Sequence, residues 1–337
     1  MGAGGAPYEP YHPHLGYTLA LTGLAWLLVV GYSWMALRAA PRARVMLYGL
    51  AIMLPIVAEL SALVVYLLRP SPDTHLGALL SHIHLAYLQP LPLDSYLAPA
   101  LLAAILGLLA VLMLASLVRF AIGTWRLRDL LRHCNGLAEA GYPALHARMQ
   151  LLARTHKFAP PTMAVMPVAE PLAFTTGLLR PRIYISTALL ALLTEDEVVA
   201  VLCHELAHAV RRDNVWNWLV RLFRDMCWFL PVGFVGWRWM VVSQDEDCDA
   251  LAARLTRDPL TLARALLKVA AAWHHQSGTP LLSATSFASS PDVRARVEQM
   301  LALSDGQTPV RRSALVGAVL LAATLLLLGP LPALLGS

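Results

Sequence analysis

His204-Glu205-Leu206-Ala207-His208 carries the residue types and spacing best suited to chemistry in this chain. On a helix, imidazoles at i and i+4 stand one above the other, about 5–6 Å apart at Cβ, which suits adjacent corners of a tetrahedral zinc site. Glu205, one step along, can accept a proton from a water that such a metal activates. The pattern reads as the signature of metal-dependent peptide hydrolysis, with Glu205 as general base and one Zn2+ per chain. A helix is what the flanks predict: Thr194-Glu195-Asp196-Glu197 is a capping box, and Val198, Val199, Val201, Leu202 and Leu206 follow it. Two histidines on a solvated face are the plain alternative, but His-Glu-His on so apolar a helix needs something to satisfy it, and a metal does so.

A catalytic zinc takes three protein ligands and keeps one position open. The acidic run Gln244-Asp245-Glu246-Asp247-Cys248-Asp249 is the strongest source for the third, and it is expected to open a helix at Asp249. Asp245 and Asp249 share a helical face at i,i+4, Glu246 and Asp249 at i,i+3. One carboxylate there can bind zinc while Asp249 orients a ligand imidazole. Acidic residues also favour helix N-termini for their own sake. Cys203 and Cys248 lie beside these groups and are considered as ligands, although a small buried cysteine is common.

The elements that must hold this site are set against a membrane. Hydrophobic residues are 58% and charged residues 14%, against about 45–50% and 25% in soluble domains. Leu15–Leu37, Val45–Leu68, Leu97–Val118 and Ser313–Leu335 are each long enough to span. The N-terminus lacks a basic stretch, so the first span is expected to be retained. Arg38, Arg42 and Arg44 follow span one, Arg119, Arg126, Arg128 and Arg132 follow span three, and Arg311 and Arg312 precede span four. The positive-inside rule then puts both termini outside, in a multi-pass protein with residues 119–312 in the cytoplasm. These flanking arginines account for the net charge of +5, and no basic stripe interleaved with aromatics calls for nucleic acid. Cys134, Cys203, Cys227 and Cys248 form no C-x-x-C pair and are expected reduced. Glu59 in span two marks a functional or partner-facing position. His75, His82 and His84 in the outer loop could bind metal or sense pH.

Three units follow: three spans in residues 1–121 (about 15–37, 45–68 and 97–118), a cytoplasmic domain in 122–310, and a fourth span in 311–337. Within the domain, helices are predicted over Thr124–Ala140 and Ala144–Phe158. Strands over Met163–Met166, Leu172–Thr175 and Arg182–Ser186 would form a small antiparallel sheet. Pro181 suggests that the last is an edge, able to take an extended peptide by strand addition. Val215–Phe223 and the Trp-rich Met226–Val242 read as a helical pair grazing the bilayer. A late helix over Asp292–Leu303 carries Arg296, which could aid the substrate carbonyl or anchor Asp249.

Gly177-Leu178-Leu179-Arg180-Pro181-Arg182-Ile183, the His204–His208 motif followed by Arg211-Arg212-Asp213, and Cys248-Asp249 together resemble the BlaR/MecR-type membrane metallopeptidases. That family's pattern is a G-L-x-x-P-x-I strand, H-E-x-x-H and E-x-x-C-D, with three spans before the peptidase domain and one after. Pro291 and Arg296-Val297 resemble the late segment of the related HtpX-like peptidases, with Ser290 in place of its histidine. The resemblance implies a mainly α membrane protein with a cytoplasmic α+β zincin-like domain. It implies a zinc endopeptidase acting on a cytoplasmic or membrane protein, such as a transcriptional repressor, or in membrane-protein quality control. Counting back from Cys248-Asp249 puts the family's glutamate ligand on Asp245, a shorter side chain, with Glu246 as the alternative. The chain ends directly after span four, so the extracellular sensor domain of the antibiotic receptors is expected to be absent. A non-catalytic regulator that keeps the fold is the contrasting reading.

Overall fold

A computed structural model of the protein describes residues 41–53, 97–132, 134–226, 228, 231–275 and 293–305. Spans one and four, most of span two, Glu59, the three outer-loop histidines and Cys227 lie outside the described residues. The described part of span two belongs to a helix, α1 (41–53), whose Ala43, Leu47, Tyr48, Ala51 and Ile52 are buried.

Helix α2 runs unbroken over Leu97–Leu131. Its Ala110–Leu131 stretch is long and apolar enough to cross a membrane and is almost unburied by protein, with Val111, Leu114 and Trp125 exposed. It is the one such helix among the described residues. The separate helix expected over Thr124–Ala140 is therefore corrected. Nothing between Val118 and Leu131 terminates α2, and the chain turns only afterwards, into strand β1 (Asn135–Gly136).

Helix α3 (Pro143–Thr155) then leads to strands β2 (Thr162–Met166), β3 (Ala173–Thr176) and β4 (Arg182–Ser186). Their order in the sheet is β1-β2-β4-β3, with β2 parallel to β4 and the other two pairs antiparallel. Two expectations fail here: the sheet is mixed, and β4 is interior. Pro181 precedes the strand, where no ladder donor is needed. Ile183 and Ile185 are fully buried, as suits a strand paired on both sides. The edge nearest the site is β3. Gly177 ends it at φ 103°, where a Cβ would stand 2.5 Å from the Arg180 carbonyl oxygen, so the turn into β4 requires glycine.

After the short helix α4 (Thr187–Leu192), the capping box forms as its residues predict: the Thr194 amide donates to Glu197 Oε2 at 2.9 Å and the Glu197 amide to Thr194 Oγ1 at 3.4 Å. Helix α5 (Glu195–Arg211) follows, buried on nearly every face from Glu197 to Ala207. Lys268 at 2.8 Å neutralises its buried Glu197. Helices α6 (Asp213–Met226), α7 (Pro231–Thr256), α8 (Pro259–His275) and α9 (Val293–Ser304) complete the described chain. One core joins α5 to the sheet, α7, α8 and α9 through Leu202, Ile183, Ala252, Leu266 and Met300.

Helix α7 also differs from expectation. It is continuous over 26 residues, so the acidic run lies inside it rather than opening a helix at Asp249. Pro231 sits at its first position, where its missing N–H costs nothing. The run is held by cationic partners instead of a helix N-terminus. A second cluster packs α1 against α6 and α7 through Leu47, Tyr48, Val220 and Met240, with the Trp216 ring so close over Gly49 that a side chain there would clash.

Candidate metal centre

The burial of α5 forces its polar groups to find partners, and each does so on a different element. His204 Nδ1 lies 2.7 Å from Asp249 Oδ1 on α7. Asp249 is fully buried and takes two further bonds, from Arg296 Nε and Nη2 on α9, both at 2.7 Å. Burial alone would raise the Asp249 carboxyl, but Arg296 and then His204 overcome it and hold the group well below the usual carboxylate range. Arg296 is itself 2% exposed and raised by the same pairing. Of its two expected roles, the contacts realise the anchoring of Asp249.

His208 is held differently. Helix α5 ends at Arg212, whose left-handed backbone (φ 56°) turns the chain so that Asp213, the first residue of α6, points back at the helix. Asp213 Oδ2 lies 2.7 Å from His208 Nδ1. Burial works to raise the Asp213 carboxyl, and His208 and Arg211 bring it below its ordinary value. Cys248 Sγ lies 3.4 Å from His208 Nδ1 and 3.6 Å from Asp213 Oδ2, on the opposite side of the ring from Nε2, and burial pushes its thiol up to about 11. Cys203 is a core residue, its thiol pushed by burial up to about 12. Cys248 lies on the Nδ1 side of His208, where its sulfur, His208 and Asp213 bring ligand atoms within 4.8 Å of one another.

With each Nδ1 on a carboxylate, Nε2 is the ring nitrogen that each histidine has left for a further partner. The two Nε2 atoms face each other at 3.2 Å. That spacing suits one N–H···N hydrogen bond, or two ligand atoms on one metal ion in place of the proton. Nitrogens bound 2.0–2.1 Å from a tetrahedral zinc would be about 3.3 Å apart, so the spacing fits. Asp245 Oδ1 stands 3.6 Å from His208 Nε2, and His204, His208 and Asp245 each bring a ligand atom within 4.8 Å of the other two. Glu246, the alternative, points elsewhere: its carboxylate pairs with Arg44 on α1. Asp247 pairs with Arg211 at 2.7 Å. The run thus divides into one carboxylate at the histidines, one on His204 Nδ1 and two in ion pairs.

Glu205 is buried and accepts a 2.7 Å hydrogen bond from the Thr175 hydroxyl on edge strand β3. The carbonyl of Thr175 accepts in turn from Asn214 Nδ2 at 3.1 Å. Thr175, Asp213 and Arg211 are residues that motif spacing does not find as site groups: one lies thirty positions upstream on a strand, and the others come into play only through the turn at Arg212.

A buried helix thus carries two imidazoles and a glutamate beneath an edge strand, with the Asp245 carboxylate beside the imidazoles. Residues 95–300, more than half of the chain, match the family model described as BlaR1 peptidase M56. The chain belongs to this family of membrane peptidases. Among curated proteins it is similar to a protease HtpX homolog of Moorella thermoacetica, 34% identical over 28% of this chain and 32% of that protein. It is also similar to the homolog of Trichormus variabilis, 26% identical over 50% of this chain and 76% of that protein. The protease HtpX of Legionella pneumophila is 27% identical over 52% and 75%. The match spans only about a third of the Moorella protein.

Proposed function

We propose that this protein is a zinc endopeptidase of the bacterial inner membrane, with His204, His208 and Asp245 holding one Zn2+ and Glu205 as general base. The observation that carries the reading is the pair of Nε2 atoms facing each other at 3.2 Å while Asp249 and Asp213 hold both Nδ1 positions. When bound, zinc would lower the pKa of a water towards about 7 and polarise the scissile carbonyl. Glu205 takes a proton from the attacking water and delivers it to the leaving amine nitrogen. Thr175 fixes the carboxylate for that exchange. Asp249, braced by Arg296, and Asp213 keep the two rings from rotating. A substrate strand pairs with the outer edge of β3, which lies directly over Glu205.

The substrate is a cytoplasmic or membrane protein, cleaved by a domain of residues 122–310 on the cytoplasmic side of four spans. Family membership supports cleavage of a transcriptional repressor in signalling, and an adjacent reading frame for a small winged-helix repressor would strengthen it. The similarity to proteases named HtpX supports membrane-protein quality control as the second reading. Glu205→Ala is the test. The purified variant should keep its zinc, since all three ligands remain, and lose cleavage of itself and of unfolded protein. Undiminished proteolysis would refute the mechanism, and so would cleavage in wild type that survives complete zinc removal.

A further inference from the structure

Where the uncharged part of α2 ends, three arginines gather around a single carboxylate. Leu97–Val118 contains no charge, and Arg119 is the first that follows. Arg119 Nη2 donates to Asp225 Oδ2 at 3.2 Å, beside the Ser116 hydroxyl at 3.1 Å. Arg224 takes the other oxygen, at 3.1 Å through Nε and 2.6 Å through Nη2. Arg221, one turn earlier on α6, is exposed, and among the described residues no carboxylate lies within ion-pair distance of it. Three positive charges against one negative leave two uncompensated. Partial desolvation, and then the like charges of Arg224 and Arg119, lower the Arg221 guanidinium below its ordinary value.

Aromatic rings hold the guanidinium planes in place. Arg221 lies over Trp237 at 5.5 Å from the ring centre, and Arg224 lies over Phe234 at 5.0 Å and Trp237 at 5.2 Å. Phe234 itself is 45% exposed. Stacking of this kind fixes a guanidinium without neutralising it. Arg221, fixed and without a carboxylate of its own, and the Asp225-bound Arg224, beside half-exposed rings and the exposed face of α2, suit a phosphate that carries acyl chains. The forks match phosphate oxygens, and the rings and the bare face of α2 match the glycerol and upper chain.

We propose that Arg221 and Arg224, with Arg119, bind the headgroup phosphate of an anionic phospholipid at the membrane surface. The inference rests on the membrane-bound reading of the chain and not on its catalysis. A soluble phosphate would use the same guanidiniums without needing the rings, so the experiment separates the two sources.

The full chain, in mixed micelles of phosphatidylcholine and phosphatidylglycerol, is released into native mass spectrometry and its retained lipids are counted. Phosphatidylglycerol should be retained in preference to phosphatidylcholine. Arg221→Gln should lower that preference about fivefold, the effect of one arginine at an anionic surface. Arg221→Lys should keep most of it, and the exposed Arg154→Gln, on α3, all of it. Glu205→Ala should retain phosphatidylglycerol as wild type does, so a failure here leaves the peptidase reading standing. The proposal is overturned if the two lipids are retained equally, if Arg221→Gln binds as wild type, or if inorganic phosphate at the lipid's concentration displaces phosphatidylglycerol.

Discussion

Removing Arg296 should be among the most damaging single changes available in this molecule. Its guanidinium is 2% exposed and donates two 2.7 Å bonds to the fully buried Asp249 carboxylate. Arg296→Met fills a similar length with apolar atoms and strips both bonds from the acid. Charge-assisted hydrogen bonds contribute about 1.5–3 kcal/mol each, so two give about 3–6 kcal/mol. Breaking one partner from a buried pair costs about 3–5 kcal/mol, which agrees. In a domain of this size each kcal/mol moves Tm by about 2–4 °C, so a fall of about 6–20 °C is expected. The measurement is thermal unfolding in detergent with metal chelated, followed by tryptophan fluorescence. Adding Asp249→Asn to Arg296→Met should recover part of the loss, because a neutral amide then replaces an uncompensated carboxylate, and the two changes should couple by about 2 kcal/mol. With metal present, the loosened His204 ring should weaken zinc binding by about 10–100-fold in a chelator competition. An Arg296→Met protein within about 1 kcal/mol of wild type, with additive double-mutant behaviour, would refute the reasoning.

Two further outcomes follow from the same contacts and from charge placement. Zinc content should fall by orders of magnitude in Asp245→Ala and little in Glu246→Ala, whose carboxylate is occupied by Arg44; metal loss in Glu246→Ala alone would exchange their roles. Reporter fusions after residue 150 should read as cytoplasmic and fusions after residue 85 as external, and an exported reporter at 150 would reject the proposed topology.

Much of the local structure was legible in the residues themselves. The capping box at Thr194 and the apolar period after it specify α5 through contacts three and four residues apart. The β-branched and aromatic runs between Pro160 and Ser186 likewise locate the strands within a residue or two. Such signals are short-range, and the His-Glu-His spacing is short-range too. Where each strand sits in the sheet is not: Pro181 argues for an edge, yet the burial of Ile183 and Ile185 by elements on both sides makes β4 interior. Helix ends misled for a related reason. Charge in the acidic run suggested a helix start, whereas Arg44, Arg211 and Arg296, distant in sequence, neutralise three of its four carboxylates in the middle of α7.

The chain by itself therefore determined that the His-Glu-His motif lies on a capped helix, because capping and periodicity act between neighbours along the backbone. Only the tertiary structure decided which carboxylate meets the histidines. Asp245 and Glu246 are adjacent and chemically alike, but on α7 they lie about 100° apart. The packing of α7 against α5 turns one towards His208, and the docking of α1 takes the other into an ion pair with Arg44.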